Sequence, residues 1–261
     1  MSKNVKFCLL QDGSYYFEKY ALSSFMLYYA LKNVLLMSQG IMSLLDLENT
    51  LGQGSFDNIA AVNMYYAITR CGILFLFNTF NGILLLLSKR PQQAPTGWRD
   101  IWIPALSSYS MLAYNWTEHL PQWMATNATP ENFTFPFLLI SCVLSLSGQI
   151  LSLVAVLYLR RSFALFIQLR DVVMNGPYKY VRHPMYTGYV LVVFGILLSN
   201  LSFAYMLISA LYLGLLAYRA RLEETMLSAN NSAYKINMNT TGLLFPKLST
   251  ILAAVRITPV A

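Results

Sequence analysis

Charged residues are scarce in this chain of 261 residues: 11% are Asp, Glu, Lys or Arg, whereas 56% are hydrophobic. Soluble domains usually carry about a quarter charged residues, so this chain cannot build an ordinary water-facing surface. The apolar residues also form long runs, most of them near the roughly 20 residues that cross a hydrocarbon core. Because a backbone in lipid must satisfy its own hydrogen bonds, these runs predict helices. The composition therefore predicts an integral membrane protein.

Cysteine is also scarce. Cys8, Cys71 and Cys142 are odd in number and far apart, which predicts free thiols and neither a disulfide framework nor a metal site. The net charge of +7 does not indicate nucleic acid, because the charges lie at the ends of apolar runs and form no basic stripe with interleaved aromatics. We therefore expect a lipid bilayer, and no nucleic acid, as a partner.

The apolar runs predict an all-α fold, a polytopic transmembrane helical bundle of about six spans. The third and fifth runs are short for full crossings. The whole chain, 1–261, is predicted to form one integral membrane domain. The spans are placed at about 21–45, 59–88, 101–116, 136–159, 185–199 and 201–220.

The basic residues give this bundle an orientation. With the N-terminus inside, sixteen of the eighteen Lys and Arg residues fall in inside segments and none in the outside segments 46–58 and 117–135. The positive-inside rule then places both termini in the cytoplasm. The two exceptions, Lys32 and Arg70, lie within spans, where snorkelling toward an interface or pairing with polar neighbours such as Asn33 or Thr69 explains them. The membrane would be a bacterial inner membrane or that of the endoplasmic reticulum.

A polar segment, 160–184, separates the fourth and fifth spans and continues as GPYKYVRHPMYTG over residues 176–188. Proline disfavours helix at the residue before it and suits the first turn of a helix. His183 is therefore predicted at the mouth of the fifth helix, which begins at Pro184, where free backbone N–H groups favour an acceptor or an anion. Arg182 beside it offers a fork that can hold a carboxylate at two points.

A second polar cluster, Arg219, Arg221, Glu223 and Glu224, follows the sixth span. Because the fifth and sixth spans are closely linked through Ser199-Asn200, this cluster returns to the membrane face of the first. Two polar clusters that converge at one interface would suit a zwitterionic cofactor with hydroxyl groups. The carboxylates would take ribose or ammonium groups, and the cations would take a carboxylate.

The Gly-Pro-Tyr, Arg-His-Pro-x-Tyr-x-Gly and Glu-Glu elements together resemble the membrane-embedded methyltransferases. These include isoprenylcysteine carboxyl methyltransferase and the phospholipid N-methyltransferases. The resemblance covers about residues 160–250 and implies a cytoplasm-facing core that binds S-adenosyl-L-methionine. It also implies that a lipophilic or small-molecule methyl acceptor enters from the lipid, and that transfer is an in-line displacement at the sulfonium methyl. Arg161-Ser162-Phe163 resembles bacterial relatives as well.

The resemblance also implies the roles of individual residues. A carboxylate or thiolate acceptor would need little general base, whereas an amine or thiol needs a proton acceptor, for which His183 and Tyr186 are candidates. Catalytic roles are predicted for Arg182, His183, Tyr186 and Arg221. Cofactor contacts are predicted for Gly176, Pro177, Tyr178, Tyr180, Val181, His183, Pro184, Tyr186, Gly188, Glu223 and Glu224.

Each of these residues also has a purely structural explanation. Arg182 would serve as a positive-inside anchor, the tyrosines as an interfacial belt and the glycines as helix-packing positions. The glutamates would pair with Arg219 or Arg221 at helical spacing.

The segment after the glutamate pair departs from the family pattern. Relatives often have Phe-Gly-x-x-Tyr there, whereas this chain has Ala229 to Tyr234, of which Tyr234 and Lys235 fit; Pro246-Lys247 fits a Phe-Pro-Lys ending. An alternative function is therefore a catalytically degenerate relative that acts as a non-enzymatic membrane scaffold. A transporter is a weaker alternative, because the spans show no evident two-fold repeat.

Overall fold

A computed structural model describes residues 12–51, 59–93, 95, 97–128 and 131–247. These residues form helices and connecting segments, with no strand beyond two isolated bridges. The prediction of an all-helical protein is therefore confirmed for the part of the chain described. The α-helices are α1 (Ser23–Leu51), α2 (Ile59–Leu86), α3 (Arg99–Tyr109), α4 (Gln122–Ala125), α5 (Glu131–Leu159), α6 (Pro184–Ser199), α7 (Phe203–Asn230) and α8 (Ser232–Thr240). A π-helical turn, Phe17–Leu22, precedes α1, and 3-10 segments cover Ser110–His119, Arg160–Ser162 and Gly176–Lys179.

Each of the six predicted runs lies on a helix. Within the described residues, three helices are long and apolar enough to cross a membrane: Val62–Leu86, Phe135–Ser162 and Phe203–Asn230. The α6 helix is apolar but shorter. The number of crossings and the side on which the termini lie remain predictions.

The third predicted run is longer in the structure than an α-helix of the same residues would be, because its second half is a 3-10 helix. The α3 helix passes directly into the 3-10 segment Ser110–His119. At rises of 1.5 and 2.0 Å per residue, the two together reach about 36 Å. Trp98 and Trp102 near the start and Trp116 near the end are exposed, which is typical of side chains at the two membrane interfaces.

Short polar signals fix where the site-bearing helices begin. The α6 helix starts at Pro184, as predicted, and His183 before it is outside the helical region, with φ −126° and ψ 63°. The side chain of Ser202 accepts a hydrogen bond from the Tyr205 N–H at the start of α7. At the start of α8, Asn231 accepts one from the Tyr234 N–H, at 2.9 Å. These caps satisfy N–H groups that the helices leave unpaired.

The most extensive packing partner of α6 is α5, whereas α6 makes a smaller contact with α7, the helix that follows it. Gly188 and Gly195 of α6 permit this close approach. A Cβ atom at Gly195 would lie 2.1 Å from Ser145 Oγ, and one at Gly188 would lie 2.2 Å from Ser152 Oγ. The connector between α5 and α6 folds back into the buried core through Phe163, Leu165 and Phe166. This packing places the start of α6 beside the connector.

Candidate active site

An open cavity lies where the α5–α6 connector, the start of α6 and the last turns of α7 meet. Its volume is about 790 Å³ when its mouth is included. One part of the wall is apolar, with Leu159, Val173, Met185, Met226 and Leu227. Five residues of the predicted site also line it: Tyr178, Arg182, His183, Tyr186 and Glu223. The fold thus brings the motif and the first glutamate to one cavity.

Glu223 is the acceptor of one polar network in this wall. The Tyr186 hydroxyl donates to Glu223 Oε1 at 2.6 Å, and Arg219 Nε donates to the same oxygen at 2.9 Å. Arg219 is buried; it also donates to Ser108 Oγ at 3.1 Å and to the Leu165 carbonyl at 2.8 Å. Glu223 and Arg219 together therefore join α6, α7, α3 and the connector.

Glu224 belongs to a second network. Arg182 Nε donates a hydrogen bond to Glu224 Oε1, and its Nη1 donates to the carbonyls of Met238 and Thr241. Arg182 therefore ties the motif to α7 and to the end of α8. A charged partner on this carboxylate offsets the cost of its partial burial.

His183 lies between the two glutamates. Its Nδ1 is 3.7 Å from Glu223 Oε2, and its Nε2 is 3.6 Å from Glu224 Oε1. The imidazole stacks on the ring of Tyr186, with centroids 5.1 Å apart and planes inclined by 5°. His183 Nε2 is buried without a hydrogen-bond partner.

The segment that follows α8 runs along the motif. The N–H groups of Arg182 and His183 donate to the carbonyls of Gly242 and Leu243, at 2.9 and 3.1 Å. The Thr187 hydroxyl donates to the Leu244 carbonyl. These bonds satisfy backbone groups at the start of α6 and cover the motif from the C-terminal side.

Two tyrosines in the cavity wall are held in their neutral form. Burial raises the pKa of the Tyr178 hydroxyl, and the nearby Glu223 raises it further. Burial likewise raises the pKa of Tyr234, with Glu224 as the next contribution. Both hydroxyls are thus available as donors and acceptors for a ligand.

The other eight predicted site residues do not line the cavity. Gly176 has φ +61°, and a Cβ atom there would meet the Tyr158 ring at 2.3 Å. Gly188 faces α5, as described above. Arg221 and Tyr180 are exposed. The lining also does not include Pro177, Val181, Pro184 or Glu224. The functional roles of these residues remain predictions.

Four residues of the site are absent from the predicted catalytic and cofactor-contacting residues. Arg219 belongs to the second polar cluster, whose cations are predicted to take a carboxylate, and pairing with the glutamates is its structural explanation. Tyr234 was visible as a remnant of the family pattern. Arg170 and Glu18 carry no local signal, because their contact spans 152 positions of sequence. Only the tertiary structure identifies that pair.

Comparison with protein families supports the resemblance. Residues 137–232 match the family model of the phospholipid methyltransferases. The matched segment contains most of α5, the connector, the whole motif, α6 and both glutamates. No curated protein matches the chain.

Proposed function

Because residues 137–232 match the family model of the phospholipid methyltransferases, we propose that this chain is an integral membrane methyltransferase that uses S-adenosyl-L-methionine. The acceptor would be a lipid, an isoprenylcysteine-type carboxylate or another small molecule that partitions into the membrane. The active site would face the cytoplasm, in keeping with the positive charge of the segments around it.

The observation that carries this proposal is a set of buried polar atoms without partners. Arg170 Nε, His183 Nε2 and the Tyr234 hydroxyl all belong to residues that line the cavity, and none has a hydrogen-bond partner. Buried polar atoms in proteins are usually paired, and three that belong to the wall of one open cavity are available to a polar ligand. S-adenosyl-L-methionine offers a carboxylate, an ammonium group, ribose hydroxyls and ring nitrogens to such atoms.

The charged side chains of the cavity also suit the charges of the cofactor. Three arginines line the cavity, and each is paired with a glutamate, as Arg170–Glu18, Arg182–Glu224 and Arg219–Glu223. These pairs balance one another, which suits a ligand that carries both signs of charge. The apolar wall around Met185, Met226 and Leu227 would take the adenine ring or the acceptor.

The bound cofactor would supply an electrophilic methyl group, and the protein would mainly position the two reactants and exclude water. Tyr186 and Arg219 hold Glu223, and Arg182 holds Glu224, so both carboxylates are oriented before a ligand arrives. His183, which lies between the two carboxylates, or Tyr186 would accept a proton from an amine or thiol acceptor.

The altered segment after Glu224 does not remove the site. It forms the end of α7 and the start of α8, and it delivers Tyr234 to the cavity wall. This arrangement supports an enzyme over a degenerate scaffold.

Calorimetric titration of S-adenosylhomocysteine, the demethylated product, into the detergent-purified chain tests the proposal. We expect binding by the wild type and at least about tenfold weaker binding by Glu223→Gln, because this carboxylate lines the cavity and a hydrogen bond to a charged group contributes about that much affinity. Asp12→Ala, which removes an exposed carboxylate near Arg90, is the control and should bind normally. Absence of binding to wild-type protein with intact helical circular dichroism would overturn the proposal.

A further inference from the structure

Glu18 is the most deeply buried carboxylate among the described residues, with 1% of its surface exposed. It lies in the π-helical turn before α1, far from the motif in sequence. Its Oε1 accepts the N–H groups of Leu165 and Phe166, and its Oε2 accepts Gln168 Nε2 and, at 3.0 Å, Arg170 Nη2. All four partners are donors, and all lie on the α5–α6 connector. Glu18 therefore fixes the conformation of the connector that forms one wall of the cavity.

Arg170 is the cation of this network, with 7% of its surface exposed. Its Nη2 is bound by Glu18, and its Nη1 donates to the Phe163 carbonyl at 2.7 Å. The Nε–H remains buried without a partner, in a residue that lines the cavity. An unpaired buried donor destabilises a protein, and a ligand that accepts a hydrogen bond from it would recover that cost.

The other two arginines of the cavity are differently engaged. Arg219 uses its Nε on Glu223, and Arg182 uses its Nε on Glu224. Among the arginines described in the cavity wall, Arg170 is the one whose Nε faces no protein acceptor. Its two outer nitrogens are already held, so the guanidinium is oriented before any ligand binds.

We propose that Arg170, positioned by Glu18, binds the carboxylate of the amino-acid portion of the cofactor. The inference rests on the proposed function, in which S-adenosyl-L-methionine occupies the cavity. That carboxylate is the one anionic group of the cofactor, and a charged acceptor makes the strongest hydrogen bond with a guanidinium. Glu18 is a positioning residue in this proposal, and it lies outside the segment matched by the family model.

A ligand that lacks only the carboxylate tests Arg170. Wild-type protein should bind S-adenosylhomocysteine at least about tenfold more tightly than its decarboxylated analogue, the worth of one hydrogen bond between charged groups. Arg170→Lys keeps the charge but loses the Nε donor, so this preference should fall to within about twofold. Arg161→Lys is the matched control, because Arg161 is exposed at the same end of α5 and does not line the cavity; it should keep the wild-type preference.

Glu18→Gln tests the positioning role with Arg170 left intact, and it also serves if Arg170→Lys does not fold. The preference for the carboxylate should shrink in Glu18→Gln. The double variant should lose no more preference than Arg170→Lys alone, because residues that act through one another are not additive.

Several results would overturn the inference. The first is a wild type that binds both ligands equally well, and the second is a preference for the carboxylate that both single variants retain. The third is an equal loss of affinity for the two ligands in the variants, which would indicate only a structural role for these residues. The proposed function fails separately, if folded wild-type protein binds neither ligand.

Discussion

Two adjacent glutamates serve different partners in this site. Neighbouring residues on a helix point about 100° apart, so Glu223 faces Tyr186 and Arg219 while Glu224 faces Arg182. His183 lies within 4 Å of both carboxylates, which places it at the junction of the two networks. The two glutamates are therefore both used, because Tyr186 and Arg182 of the motif contact the end of α7 on two different faces. Helical pairing with Arg219 is real as well, and it forms part of the same arrangement.

Tyr186→Phe removes the hydroxyl that donates to Glu223 and leaves the ring stacked on His183. We expect about tenfold weaker binding of S-adenosylhomocysteine, because Glu223 loses a hydrogen bond to a charged group. Tyr218→Phe, a tyrosine partly exposed on α7, is the control. Calorimetry of both variants measures the effect, and an unchanged affinity in Tyr186→Phe would show that Glu223 is oriented without it.

Arg219 and Arg221 allow a direct comparison of a buried and an exposed cation. Arg219→Ala leaves Glu223 without its cation, so the free energy of unfolding should fall by about 3–5 kcal/mol. Arg221→Ala should change it by less than about 0.5 kcal/mol, as exposed substitutions usually do. Thermal unfolding in detergent compares the two variants. An equal loss would contradict the burial of Arg219 against α3 and the connector.

At the scale of elements, the contact between α5 and α6 is built from small residues. Gly148 on α5 and Gly188 and Gly195 on α6 let the two backbones approach closely, with Ser141, Ser145 and Ser152 beside them. Close packing of small residues is a common basis of helix association in membranes. The motif depends on this contact, because α6 presents Tyr186 from its first turn. Gly188, whose predicted role is to approach a cofactor, has a sufficient structural reason in this packing.

Gly195→Ala should destabilise the protein by about 1–3 kcal/mol, because the new methyl group overpacks the contact with Ser145. Gly214→Ala on α7 is the matched control, since a Cβ atom there meets nothing within 4 Å. It should be neutral or stabilising by up to about 1 kcal/mol. Thermal unfolding of the two variants decides the matter, and similar melting temperatures would refute the close approach of α5 and α6.

At the scale of the molecule, three separate parts of the chain meet at one cavity. The central connector and α6 contribute the motif, and α7 with the following segment contributes Glu223 and Tyr234. The turn before α1 reaches the cavity indirectly, because its Glu18 binds Arg170 in the wall. The integral membrane character follows from the apolar helices and the family match. Six spans with cytoplasmic termini would put all three parts on one side of the membrane.

Single cysteines test that orientation, in a background where Cys8, Cys71 and Cys142 are replaced by alanine. Ser232→Cys and Thr126→Cys place thiols at exposed positions on the predicted inside and outside. A membrane-impermeant maleimide should label Thr126→Cys in intact cells and Ser232→Cys only after lysis, because the positive-inside rule fixes the sides. The reverse pattern would contradict the predicted topology.

The sequence alone determined the properties that depend on local composition and spacing. Apolar runs predicted the helices, Pro184 predicted the start of α6, and the motif with its glutamate pair predicted where a site would form. These features are local because helices form from short-range hydrogen bonds and the motif is one continuous stretch.

Only the tertiary structure decided which side chains face the cavity. In the structure Arg219, and not Arg221, lies in the cavity wall, and Gly188 packs against α5. Glu18 contacts Arg170, which is distant in sequence. Such choices depend on how helices rotate and pack against one another, and no local pattern encodes the contact of residues 152 positions apart.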